Sequence, residues 1–354
     1  MLETFTPQLD AKQPLSEAQV AEAVRHLTDE QVPAEPKAAF LTALAHKGET
    51  IDEITAFARQ LRERSVVPPI DEETRSHEIL DVCGTGGDRL NTFNISTTVA
   101  LVVAAAGVTV AKHGNRAVTS QSGSADVLEA LGIRIDLTPE EAAQSLREHH
   151  FAFFFAQKYH PAFKHIGPAR KLCADRGQRT IFNFLGPLLN PARPSAQLIG
   201  VPRPQLCETL ARVLQSLGVR RGMVVSGMVP TDVRGSVASL DEFSTLGENT
   251  LAEFYQDRGF AVSSLKPENF PLQPAKLSDL AGGNREANAA IVEMLVGGDE
   301  RGPKRDAVLL NAAAALFVVG RVKSMSDGWG LASEIIDAGK ARLKLEELRR
   351  FGRG

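Results

Sequence analysis

The sequence predicts an α/β fold: a mainly parallel central sheet flanked by helices, with a smaller all-helical domain formed largely by the N-terminus. Three observations predict it. Residues 1–65 place their apolar side chains at helical spacing and show no strand alternation. From residue 78 onward, short apolar runs of strand length alternate with helical segments, the pattern of βαβ units and hence of a parallel sheet. Between them, residues 66–73 carry the adjacent prolines Pro68 and Pro69 and few periodic apolar positions, as a linker does.

The elements follow in order. Ser16 is placed to cap a helix that repeats Val20, Ala23, Val24 and Leu27 on one face. A second helix follows Pro33 with Ala39, Phe40, Ala43 and Leu44, and a third, capped by Asp52, carries Ile54, Phe57, Ala58 and Leu61. Residues 78–82 read as a buried strand, 96–106 as a small-residue helix and 108–112 as a second strand. Helix 125–131, strand 133–137, a helix from Thr138 and strand 151–155 come next. Pro139 suits a first helical position, and Glu141 completes a capping box with Thr138. Further strands are expected at 197–201 and 223–226, and residues 285–348 read as mostly helical.

Composition sets limits on function. With 43% hydrophobic and 23% charged residues the chain has the make-up of an ordinary globular protein. A formal net charge of -3 argues against a general nucleic-acid binder. Cys83, Cys173 and Cys207 lie far apart without metal-ligand spacing, which fits a reduced compartment and offers no zinc site. The N-terminus lacks the basic and apolar regions of a signal peptide, and the longest apolar runs, 99–107 and 307–319, fall short of a bilayer span. The expectation is a cytoplasmic protein with neither a nucleic-acid nor a membrane partner.

The first chemical signal is Gly84-Thr85-Gly86-Gly87-Asp88, set between a predicted strand and a predicted helix. Glycines there let backbone N–H groups converge on an anion, and the helix opening at Asn94-Ile95-Ser96-Thr97 turns its positive end to the same region. The spacing is neither that of a P-loop nor that of a Rossmann fingerprint, and a plain tight turn is the competing reading. Asp88 beside an anion loop calls for a donor or cation to face it, such as a ribose hydroxyl or a metal-bound water.

The second strand ends in Lys112-His113-Gly114-Asn115-Arg116, followed by Ser120, Ser122, Gly123 and Ser124. Carboxyl ends of neighbouring parallel strands share one edge, so this loop is expected beside the first. Lys112 and the serines suit a phosphate, and Asn115 offers a donor and an acceptor to a second ligand. His113 is open between substrate contact and packing, Arg116 between ligand binding and a structural ion pair, and Asp126 reads as dipole stabilisation at a helix start. Asp241-Glu242 suits magnesium, which takes oxygen ligands and bridges to phosphates, although an acidic pair on a solvated face looks the same.

These runs taken together resemble the anthranilate phosphoribosyltransferase family: DVCGTGGD (81–88), NIST (94–97), KHGNRAV (112–118), SGSADVLEALG (122–132), HPAFKHIGPAR (160–170), RTIFNFLGPLLNPA (179–192), LDEFS (240–244) and RDAVLLNAAAAL (305–316). The likeness runs from residue 10 to 346. It implies a helical domain at 1–70 joined by residues 160–190, an α/β domain at 75–354, and a homodimer formed through the helical part. It implies Mg2+ as cofactor, with anthranilate and 5-phosphoribosyl 1-pyrophosphate as substrates. Carried over motif by motif, Gly84, Gly87, Asp88, Thr92, Asn94, Ile95, Ser96, Thr97, Lys112, His113, Gly114, Asn115, Ser120 and Ser124 would hold the donor. Gly84, Asn115 and Arg170 would face anthranilate, with His113 close by, and Ser96, Asp241 and Glu242 would serve the metal.

Two stretches depart from the family pattern. Residues 171–178 lengthen the link between Arg170 and the RTIFN run, and residues 226–238 replace a shorter His-Gly loop ahead of the paired acids. A pyrimidine nucleoside phosphorylase would share the fold, but should carry a lysine-containing phosphate loop before the glycines. A noncatalytic nucleic-acid-binding relative should have lost the donor motifs or gained a basic groove. Neither signature is evident.

Overall fold

The computed structural model describes residues 1–117, 121–231, 236–256 and 259–352. Its eight strands form one sheet: β1 (Ile79–Gly84), β2 (Thr109–Gly114), β3 (Phe151–Phe155), β4 (Ala196–Gly200), β5 (Arg221–Pro230), β6 (Val237–Leu240), β7 (Asn249–Tyr255) and β8 (Gly259–Leu265). The order is β3-β2-β1-β4-β5-β7-β8, with β6 also on β5. The first five are parallel neighbours, while β6, β7 and β8 pair antiparallel. Helix Ile95–Ala105 crosses from β1 to β2, as a parallel pair requires.

Strand periodicity explains how one sheet supports two cores. Leu80, Val82, Val110, Leu198, Met223 and Val225 face the helices Ile95–Ala105 and Pro303–Val318. Their strand neighbours Cys83, Ile199, Val224 and Ala252 pack with residues of helices Glu17–Thr28, Ile51–Arg62, Gly167–Asp175 and Gln205–Ser216. Burial on both faces is why these strands read as continuous apolar runs. Lys37, almost fully buried, donates to the carbonyls of Asp29 and His165 and so fastens the N-terminal helices to the segment before Arg170.

Several expectations are corrected. Residues 133–137 form no strand: the alternation of Ile133, Ile135 and Leu137 buries those side chains, but the Asp136 and Leu137 carbonyls accept from the Lys158 ammonium and the Tyr159 hydroxyl in place of a neighbouring strand. The third N-terminal helix is capped by Thr50, which forms a capping box with Glu53, and Asp52 sits inside the first turn. In the second, Ala39 is exposed, and the buried face is Ala38, Phe40, Leu41 and Leu44. Of the stretch 226–238, expected as a loop, residues 226–230 are the upper part of β5 and 237–238 the start of β6, with Gly227 opposite Leu240 and Pro230 opposite Val237. The β7–β8 hairpin has no counterpart in the sequence reading. Among the described residues no helix is long and apolar enough to cross a membrane.

Candidate active site

Gly84 and Gly200 end adjacent strands and are register partners. They leave room for the acidic segment 241–244. A Cβ on Gly84 would stand 2.6 Å from Asp241 Oδ2, one on Gly200 1.6 Å from the Asp241 carbonyl oxygen, and one on Gly227 2.6 Å from the Glu242 carbonyl oxygen. Glycines at the ends of β1 and β4 and within β5 therefore seat the paired acids on bare backbone. Asn311, buried in helix Pro303–Val318, closes the seat from above: it accepts from the Phe243 N–H at 2.9 Å and donates to the Phe243 carbonyl at 3.0 Å.

The acids then meet the glycine turn. Asp241 Oδ2 accepts from the Gly86 N–H, and the Asp241 N–H lies 3.5 Å from Asp88 Oδ2. Glu242 Oε1 accepts from the Ser96 N–H at 3.2 Å, at the first turn of helix Ile95–Ala105. Burial, with Asp88 and Glu242 nearby, pushes the Asp241 carboxyl well above the usual range. Burial likewise pushes Glu242 up to about 7, against the pull of Lys112. Two carboxyls that water does not solvate, beside a third in Asp88, are a site short of positive charge.

The second loop reaches the first. Lys112, 1% exposed, donates to the Val82 carbonyl at 2.7 Å and lies 3.4 Å from Ser96 Oγ, so its charge sits beneath the turn. Asn94 donates from Nδ2 to the Ser122 carbonyl at 3.3 Å and accepts from Asn288 Nδ2 at 2.8 Å, joining both loops to helix Arg285–Gly297. Asp126 staples the second loop by accepting from the Ala117 and Gly123 N–H groups, each at 2.9 Å, and it pairs with Arg116 at 3.0 Å. Arg116 also pairs with Glu129, so both Arg116 and Asp126 take the structural alternative. Gly114 abuts Ser124: a Cβ there would lie 2.2 Å from the Ser124 hydroxyl.

The remaining expected residues are placed as follows. Gly87 is exposed with φ +90°, Thr92 forms a bridge to Ala281, and Ile95 and Thr97 are buried in the first turn of their helix. Asn115 is exposed and accepts from the Arg116 N–H. Ser120 lies outside the described residues. His113 is buried, and burial drives its imidazole down to about 3, leaving it neutral across the physiological range. Its ring stands 5.2 Å from His160, which stacks on Phe163 at 5.1 Å; Phe163 meets Phe182 at 5.9 Å, and the Arg170 guanidinium lies 5.4 Å over Phe182. That file of rings leads from the strand ends to Arg170, a contact no sequence spacing reveals.

The residues suit a hard divalent cation. Among the described residues no three His, Cys, Asp or Glu side chains close a cage around one point. Magnesium needs none, because it takes one or two carboxylates and completes its shell with water and substrate oxygens. The raised carboxyls of Asp241 and Glu242 supply that pair, and the Ser96 hydroxyl lies alongside.

Comparison with known proteins agrees with this geometry. The profile of the glycosyl transferase family a/b domain matches residues 76–342, and that of the glycosyl transferase family helical bundle domain matches residues 7–65. The anthranilate phosphoribosyltransferase of Petrotoga mobilis is 46% identical over 337 residues, covering 95% of this chain and 93% of its own. The crystal structure of the Thermus thermophilus anthranilate phosphoribosyltransferase superposes with a TM-score of 0.86 at 40% identity, covering 99% of both chains. The Saccharomyces cerevisiae enzyme, solved in complex with PRPP and Mg, gives a TM-score of 0.86 at 26% identity, with 99% of this chain and 98% of that one covered. The chain belongs to the anthranilate phosphoribosyltransferase family.

Proposed function

We propose that the protein transfers the phosphoribosyl group of 5-phosphoribosyl 1-pyrophosphate to the amine of anthranilate, giving N-(5-phosphoribosyl)anthranilate and pyrophosphate, in tryptophan biosynthesis. The observation that carries this reading is the junction of an anion-binding glycine turn, a helix N-terminus and a buried, charge-deficient acid pair. Gly84, Gly87, Asp88, Thr92, Asn94, Ile95, Ser96, Thr97, Lys112, His113, Gly114, Asn115, Ser120 and Ser124 are assigned to the donor, and Asp241, Glu242 and Ser96 to Mg2+. When bound, the metal neutralises the charge that collects on pyrophosphate as its bond to ribose C1 breaks.

The chain's own groups do the rest by position. Backbone N–H groups of the glycine turn and the first turn of helix Ile95–Ala105 hold phosphate oxygens. Lys112, under the turn, offsets the carboxylates that would otherwise repel the donor. Arg170 takes the anthranilate carboxylate, with Gly84 and Asn115 on the remaining walls. The aromatic amine is already neutral and needs no strong base, in keeping with a His113 that stays unprotonated down to about pH 3. The same reading makes the protein a cytoplasmic homodimer assembled through its N-terminal helices.

Turnover tests this directly. Anthranilate fluorescence is expected to decay only when donor and Mg2+ are both present, and folded protein that shows no decay would refute the assignment. Arg170→Ala is expected to raise the KM for anthranilate by about 10- to 100-fold, the worth of one charge-assisted bond, while the donor KM stays within about threefold. Equal damage to both constants would remove Arg170 from the acceptor site.

A further inference from the structure

We propose that Arg89 is a donor-binding residue that grips the pyrophosphate of the incoming donor at the rim of the glycine turn. This rests on the transferase reading above and adds to it a residue that neither the motif carry-over nor any contact in the structure had assigned.

Three observations converge on it. First, Arg89 is held at φ +62°, in the left-handed region that a glycine enters freely and an L side chain resists. The conformation belongs to the turn as a whole: Gly86, Gly87 and Asn91 also have positive φ, at +77°, +90° and +53°. It is fixed on both sides of Arg89. Asp88 Oδ1 accepts from the Leu90 N–H at 3.1 Å, the Asn91 carbonyl accepts from the Gly282 N–H at 2.9 Å, and the Phe93 N–H donates to the Leu280 carbonyl at 3.0 Å. A glycine at position 89 would satisfy this backbone without strain, so the arginine is kept for its side chain.

Second, that side chain is free. Between residues 84 and 124 the sequence carries three permanent cations, Arg89, Lys112 and Arg116. Lys112 is buried against the Val82 carbonyl, and Arg116 is committed to Asp126 and Glu129. Arg89 is exposed and makes no hydrogen bond or ion pair among the described residues. Third, it follows Asp88, at the mouth of a site whose carboxyls outnumber its lysine. An anionic donor approaching Asp88, Asp241 and Glu242 meets repulsion, and a free guanidinium at the entrance both lowers that repulsion and offers a planar fork to phosphate oxygens.

The test uses the full-length protein and the variants Arg89→Gly and Arg89→Lys. Calorimetric titration with inorganic pyrophosphate in the presence of Mg2+ is expected to show about tenfold weaker binding to Arg89→Gly, the loss of one charge-assisted contact. Arg89→Lys, which keeps the charge and loses the fork, should fall between. In turnover the donor KM of Arg89→Gly should rise by a similar factor, with kcat within about twofold and the anthranilate KM unchanged. Its donor KM should also respond less steeply to added salt. The thermal midpoint of the unliganded Arg89→Gly should rise, because the backbone strain is relieved and the free side chain forfeits no contact within the fold; a merely structural arginine would give the opposite. Equal pyrophosphate affinity in wild type and Arg89→Gly overturns the proposal. If the wild type binds pyrophosphate with this difference yet does not consume anthranilate, the transferase reading fails and the Arg89 assignment stands.

Discussion

Asp241→Asn is expected to make the metal-free protein more stable while removing most of its activity. The Asp241 carboxyl is pushed well above its normal range by burial, with Asp88 and Glu242 adding repulsion. A carboxyl whose folded pKa is raised contributes stability that is complete below its unfolded value and is lost as pH rises through the folded one. Glu242 behaves in the same way, losing its contribution between its ordinary value near 4.5 and about 7. His113 and His160 run the other way, because burial lowers them to about 3 and about 4, so they cost stability as pH falls below the ordinary histidine value. At pH 8 both histidines are neutral folded and unfolded, and a comparison made there isolates the acids. An asparagine keeps an oxygen for the Gly86 N–H and cannot ionise, so the metal-free fold should gain stability, read as a higher thermal midpoint. Turnover at saturating donor should fall by about 100-fold or more, and the thermal shift given by Mg2+ should shrink. A variant with the wild-type response to Mg2+ would place the metal elsewhere.

The second large effect is expected at Gly200, a residue with no polar side chain to recommend it. Its alanine Cβ would stand 1.6 Å from the Asp241 carbonyl oxygen, 2.2 Å from the Asp241 carbonyl carbon and 2.8 Å from the Glu242 nitrogen. All three are backbone atoms, so no side-chain rotation relieves the clash, and the acid segment must move by about an ångström or more. Displacement of that size at a reacting centre costs about 100-fold in rate. The overpacking costs about 1–3 kcal/mol, which a domain of ordinary stability survives. Gly200→Ala should therefore remain folded by circular dichroism with Mg2+-dependent turnover reduced about 100-fold. Gly330→Ala is the control: it lies in helix Met325–Asp337 with nothing within 4 Å of its Cβ, and should leave turnover unchanged. Near-normal activity in Gly200→Ala would mean that the seat under the acids has no bearing on catalysis.

Sequence and structure agree where local chemistry decides the outcome. The N-cap at Ser16, the capping box at Thr138, the β1–helix–β2 unit and the two loops at one sheet edge were all legible, because hydrophobic period, cap residues and glycine placement act over a few residues. The misses share a different cause. Alternation at 133–137 matched a strand period, but the carbonyls there take side-chain donors from Lys158 and Tyr159, which no local pattern announces. Strand β8 lies on an exposed edge, and β7 interrupts its apolar residues with Thr250 and Glu253, so no continuous apolar run marks the pair. Asn288 and Asn311 matter through partners 194 and 68 residues away along the chain. Gly200 and Gly227 matter through close backbone approach, which spacing in the sequence cannot encode. Asn311 was not singled out within the RDAVLLNAAAAL run; a lone amide in an apolar helix needs a partner, but nothing in the run says that the partner is Phe243.

The sharpest test of the claim that residues 84–88, 112–117, 121–124 and 241–242 form one metal-dependent donor pocket is calorimetric titration of the unmodified protein with 5-phosphoribosyl 1-pyrophosphate at about pH 6.5, with Mg2+ and then with EDTA. Binding should be at least about tenfold tighter with the metal. Its heat should also vary between buffers of different ionisation enthalpy, because Glu242, held up to about 7, must give up its proton. Equal affinity in EDTA, with no proton released, would contradict the account.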